Sequence, residues 1–234
     1  MCKFKSAIVV KDETSKGGFR LLLSAWTESH SDLCKIYKLN DTATARLYFA
    51  RVEFSPESME TAHRIETYKL TIDEQRTPDW FSDEIRELVT EKLTKYVTSM
   101  IVTGDVDLLI GGQFIIAPGA KVECAHAMVI NAICGGTVSA IRGGTVSEIW
   151  GGTVSAIYGG TVSAIYGGTV SAICGGTVSE IRGGTVSAIY GGTVSAICGG
   201  TVSAIWGGTV SEIWGTHNPT IGKITKGTVL KDHR

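Results

Sequence analysis

Proline is scarce in this chain, with 4 in 234 residues, while glycine reaches 29. A collagen helix needs abundant proline beside its glycines, and a flexible linker mixes the two, so both are excluded. A charge excess is also missing: 22 Lys+Arg face 23 Asp+Glu, for a net charge of −1. Without a basic stripe to meet phosphates, a general polyanion binder is excluded and a nucleic-acid partner is not expected. No run approaches the roughly 18 apolar residues that cross a bilayer, so no membrane partner is expected. The cysteines (Cys2, Cys34, Cys124, Cys134, Cys174, Cys198) form no CxxC pair. Residues 1–20 lack a signal-peptide pattern, since the apolar run Ala7–Val10 is short and Lys11-Asp12 follows at once. A reduced, cytoplasmic protein is the resulting expectation. No phosphate loop, zinc motif or catalytic triad pattern occurs, so neither an enzyme nor a cofactor is expected. Cys124 and His126 are two metal-type side chains without further partners, so no metal site is expected.

What is present is unevenly spread. Residues 1–102 carry an ordinary mix of charges and read as strands, helices and turns. Lys3–Val10 and Gly18–Ala25 predict two strands around the turn Thr14-Ser15-Lys16-Gly17. Ser29 or Ser31 caps a short helix through Leu33, Ile36 and Tyr37. Leu47–Phe54 and Thr67–Asp73 predict two further strands. Thr77-Pro78-Asp79 has the form of a helix start, and Ile85, Leu88, Val89, Leu93, Val97 and Met100 recur at helical spacing. The sum is ββαββα, an α+β head that is expected to cap the remainder of the chain.

From Gly135 to Trp214 the chain repeats the octad Gly-Gly-Thr-Val-Ser-Ala/Glu-Ile-x without a gap. Degenerate octads extend the frame back through residues 103–134, with Val106, Phe114, Val122 and Ile130 in the Val position. A fixed short period predicts a β-solenoid, or β-helix, after the α+β N-terminal domain. Val at the fourth position and Ile at the seventh never vary in the regular array, so both belong in the core. Their opposite parity means that one straight strand cannot bury both, and the chain must bend between them. The variable sixth and eighth positions face outward, and the paired glycines turn the chain again. Glu148, Glu180 and Glu212 recur every 32 residues, which favours a coil of two octads over one of three. The polar tail, residues 215–234, is expected to cap the last coil.

The eighth position carries the sharpest functional signal: Arg142, Trp150, Tyr158, Tyr166, Arg182, Tyr190, Trp206 and Trp214, with Cys174 and Cys198 between them. Trp, Tyr and Arg dominate binding hot spots, so a rigid ladder of them would grip a protein or glycan. The plainer alternative is that these rings only cover coil edges and stabilise stacking. Two other functions are open. Thr and Ser flanking each buried Val make hydroxyl ranks that resemble the threonine arrays of ice-binding proteins. Cys2, exposed after methionine removal, would be a nucleophile. It resembles the Met-Cys-Gly opening of amidotransferases and of the abasic-site-crosslinking SRAP family, although Lys3 replaces that glycine here.

Two further resemblances rest on short motifs. Met1-Cys2-Lys3-Phe4-Lys5-Ser6-Ala7, Arg51-Val52-Glu53-Phe54 and Thr77-Pro78-Asp79-Trp80-Phe81 resemble an uncharacterised family of phage and phage-like proteins. Those proteins join a small N-terminal domain to an octad array. This resemblance implies a viral or prophage origin and residence in the host cytoplasm. Gly104-Asp105-Val106 through Gly119-Ala120-Lys121-Val122 is similar to the bactofilins, cytoplasmic β-solenoids that assemble end to end. This second resemblance implies a homo-oligomer formed through the solenoid, the head being the other candidate surface.

Overall fold

The structure is a computed structural model that describes all residues except 1–3, 26, 41, 43–47 and 74–76, and the side chain of residue 216. Contacts divide the chain into two compact units, Met1–Ser99 and Met100–Arg234.

The head has the expected order. Strands β1 (Lys5–Lys11) and β2 (Phe19–Leu22) precede helix α1 (His30–Ile36). Strands β3 (Phe49–Ser55) and β4 (Lys69–Ile72) precede helix α2 (Asp83–Thr98). The four strands form one antiparallel sheet in the order β2-β1-β3-β4. At the β1–β2 turn Asp12 accepts hydrogen bonds from Thr14 and Ser15, which hold its carboxyl pKa at about 2. Apolar residues of alternating parity fill the core: Ala7 and Val9 with Val52 and Phe54, and Ile8 with Leu33, Cys34 and Phe49. Lys5 is buried too, its ammonium bonded to Glu28 at 2.7 Å and to the Ser24 carbonyl at 2.6 Å.

One expectation needs correction. Helix α2 starts at Asp83 behind the cap Ser82, whose hydroxyl accepts from the Ile85 amide, and not at Thr77-Pro78-Asp79. Ser82-Asp83-Glu84 is an equally good start signal, with two acids facing the N-terminal dipole. Residues 78–81 instead make a turn, closed by Phe81 N–H to Pro78 O, that buries Phe81. Val89, Leu93 and Val97 form the buried stripe of α2, while Leu88 is exposed. The helix ends at Thr98, and Ile101–Val102 is already the first solenoid strand, β5. Among the described residues no helix is long and apolar enough to cross a membrane.

The second unit is a parallel β-solenoid of fifteen strands. Irregular strands β6 (Asp105–Ile110), β7 (Gln113–Ile116), β8 (Lys121–His126) and β9 (Val129–Ile133) lead into seven five-residue strands, β10 (Thr137–Ile141) to β16 (Thr185–Ile189). Longer strands β17 (Thr193–Ile205), β18 (Thr209–Ile224) and β19 (Thr228–His233) complete it. Up to β15 each strand pairs with the next but one, placing Thr137 on Thr153 and Val138 on Val154, so a coil is two octads long; the long strands β17 and β18 span both octads of a coil. The degenerate octads obey the same register: Val106 pairs with Val122, and Phe114 with Ile130.

Every Val and Ile of the regular octads is buried in one continuous core. The pairing passes over Ser between Val and Ala in each octad, and there the strand changes direction so that both parities reach the interior. The glycines act differently within each pair. Gly168 holds φ +72, and a Cβ there would stand 2.6 Å from the Gly152 carbonyl of the coil below. At the first glycine of a pair, such as Gly191, no left-handed φ occurs, but a Cβ would meet the Cys174 carbonyl at 2.7 Å. The first glycine thus gives room and the second gives room and conformation.

The tail does not lie over the last coil as a loose cap; it continues the ladder. Thr201 pairs with Thr220 and Val202 with Ile221, and then Thr209 pairs with Thr228 and Val210 with Val229. This last coil is three residues longer than those of the regular octads. The extra residues bulge around Asn218, at φ +45, and the buried Pro219.

Candidate functional site

Because a coil holds two octads, the eighth positions fall into two ladders half a coil apart. Arg142, Tyr158, Cys174, Tyr190 and Trp206 make the first. Trp150, Tyr166, Arg182, Cys198 and Trp214 make the second. The sixth position separates their chemistry. Beside the first ladder it is always Ala in the regular octads; beside the second it alternates Glu148, Ala164, Glu180, Ala196, Glu212. The sixth-position alanines stand outside the core cluster, yet Ala140, Ala156, Ala164, Ala188 and Ala204 are buried, against the outward facing expected of this position.

The second ladder satisfies itself. Trp150 stacks on Tyr166 with centroids 4.2 Å apart, and its Nε1 donates to Glu148 at 2.7 Å. Arg182 lies over the other side of Tyr166 at 5.6 Å and bonds Glu180, whose carboxylate holds the guanidinium pKa above its ordinary value. Burial, and then the charge of Glu180, push the Cys198 thiol up. Trp214 stacks on His233 of the tail at 4.3 Å, and Lys231 reaches Glu212 at 3.0 Å.

The first ladder is open. Tyr158 is 54% exposed, Tyr190 57% and Trp206 40%. Among the described residues none of these three rings stacks on another ring; a cation covers one side of two of them. Arg142 lies 5.5 Å from the Tyr158 centroid, and Lys223 of the tail lies 5.3 Å from that of Trp206. Cys174, also exposed, leaves a gap between Tyr158 and Tyr190. The spacing of ladder strands makes that gap about 9.6 Å from ring to ring, two inter-strand steps.

All eight residues singled out in the sequence are therefore placed outward, but four stand in each ladder. The octad pattern treats them as equivalent; the two-octad coil makes them distinct. The hydroxyls also stand in register, Thr137 on Thr153 and onward. Cys2 lies outside the described residues. Cys124 and His126 gather no third ligand among the described residues. The head, in contrast, brings together a group with no sequence signal: His30 of α1, Glu53 of β3 and Asp73 just after β4. Comparison with protein-family models, curated proteins and solved structures found no match to this chain.

Proposed function

We propose that this protein is a non-catalytic scaffold whose solenoid presents the first ladder, Arg142, Tyr158, Tyr190 and Trp206, to a protein or glycan partner. The carrying observation is the contrast in stacking: Trp150 stacks on Tyr166 and Trp214 on His233, whereas Tyr158, Tyr190 and Trp206 stack on no other ring among the described residues, and the two tyrosines are more than half exposed. The plainer role of edge covering belongs to Trp150, Tyr166, Arg182 and Trp214. A rigid row of aromatics loses little side-chain entropy on contact, which suits a stacking or gripping surface. A viral or prophage origin rests only on the resemblance of Met1–Ala7, Arg51–Phe54 and Thr77–Phe81.

Two triple variants test this reading. In one, Tyr158, Tyr190 and Trp206 are all replaced by Ser; in the other, Trp150, Tyr166 and Trp214 are. Glycan arrays and pull-downs should show the first variant losing specific partners with its unfolding midpoint nearly unchanged. The second should keep those partners and melt earlier. Partners retained by the first variant would move recognition to the head or leave the solenoid purely structural.

A further inference from the structure

His30 opens α1 behind the cap Ser29, and its side chain is 4% exposed. Its Nε2 lies 3.1 Å from the Val52 carbonyl oxygen, which can only accept, so Nε2 carries the proton. In the neutral ring Nδ1 is then a lone pair, and it faces Asp73 Oδ2 at 3.1 Å. A lone pair and a carboxylate oxygen repel at that distance unless something positive joins them. Glu53 adds a second carboxylate. Strand pairing sets Glu53 opposite Thr71, which places Asp73 diagonally across from it on the same face. One ligand atom from each of the three residues lies within 4.8 Å of the other two.

A second ring proton would join His30 to Asp73 alone, whereas the third ligand atom of the group belongs to Glu53. A metal ion satisfies all three. Two ligands about 2.0–2.2 Å from one ion, at an angle near the tetrahedral or octahedral value, stand about 3.0–3.5 Å apart, which is the spacing of Nδ1 and Oδ2. The Nε2–H to backbone carbonyl bond is the outer-sphere contact that orients a metal-bound imidazole through its other nitrogen. Asp73 is 55% exposed, so an ion has a path from solvent and keeps positions open to water.

We propose that His30 Nδ1, Glu53 and Asp73 form a binding site for a divalent transition cation of the manganese-to-zinc range, with one ion per chain. One imidazole and two carboxylates favour such ions over magnesium, which prefers all-oxygen surroundings. The site goes beyond the scaffold reading and stands in the other unit of the chain, so either can fail alone.

The test uses the full chain with Mn2+ followed by electron paramagnetic resonance, Zn2+ by calorimetry, and Mg2+ as the weak control. Wild type should bind one Mn2+, and its unfolding midpoint should rise with the ion present. Glu53→Gln and Asp73→Asn should each weaken Mn2+ binding at least about tenfold while leaving the far-ultraviolet dichroism unchanged. Because His30→Ala also removes a buried hydrogen bond, the two carboxylate variants carry the decision. No Mn2+ bound at millimolar concentration, or binding unaltered in both variants, overturns the proposal.

Discussion

At the scale of the residue, glycine and the ladder side chains play opposite parts. Gly168 is held at φ +72 beneath a carbonyl that leaves no room for a Cβ. Gly168→Ala should therefore cost about 1–2 kcal/mol from the left-handed backbone alone, and the clash adds to it. Tyr158→Ala removes an exposed ring with one cationic neighbour and should cost under about 1 kcal/mol. Urea unfolding of the two variants measures the contrast; equal losses would mean that the glycine corners do not hold the coil. The same scale shows where sequence reading succeeds. Val and Ile at opposite parity force a bend, and the chain bends there, because burial depends only on local chemistry and spacing. It fails at Ser82, because two adjacent cap signals compete and only the packing of Phe81 chooses between them. It fails at His30 and Asp73 for another reason: 43 residues separate them, and no periodicity carries a contact of that range.

At the scale of the element, the solenoid strand is a column as much as a segment. Glutamate takes every second coil of its column, with Ala164 and Ala196 between, and lysine comes next at Lys231. Strands lie about 4.8 Å apart, so carboxylates on adjacent coils would face each other directly, and like charges so placed are destabilising. Ala164→Glu would set Glu148, a new carboxylate and Glu180 in one unbroken row. The expected loss is about 0.2–1 kcal/mol per new like-charge contact, smaller at high salt and absent in Ala164→Gln. Thermal unfolding of both variants across a salt series checks this. The spacing of the acids was legible in the sequence and led to the two-octad coil. That the same coil also sorts the eighth position into an open and a self-satisfied ladder comes from the pairing and from which rings meet.

At the scale of the whole molecule, β19 pairs with β18 alone among the described strands, and an unpaired strand edge invites another chain. Strand β19 carries Lys231-Asp232-His233, and Asp232 stands in register with the buried Ile213. A carboxylate at the isoleucine position discourages a further coil from stacking there. The double variant Lys231→Ala with Asp232→Ile should self-associate with rising concentration in analytical ultracentrifugation, where wild type stays unchanged at that edge. Wild-type association that the double variant leaves unaltered would show that this edge is not guarded by its charges.

The two-octad coil also sets a grain on how such an array can drift in length over generations. Loss or gain of one octad would send every later residue to the opposite ladder, mixing acids into the open one. A step of two octads keeps the ladders but breaks the alternation, setting two glutamates or two alanines on neighbouring coils. Only steps of four octads, the 32-residue interval between Glu148 and Glu180, leave both patterns intact. Heritable length variants of this protein should therefore come in quanta, like links added to a chain in matched pairs of pairs.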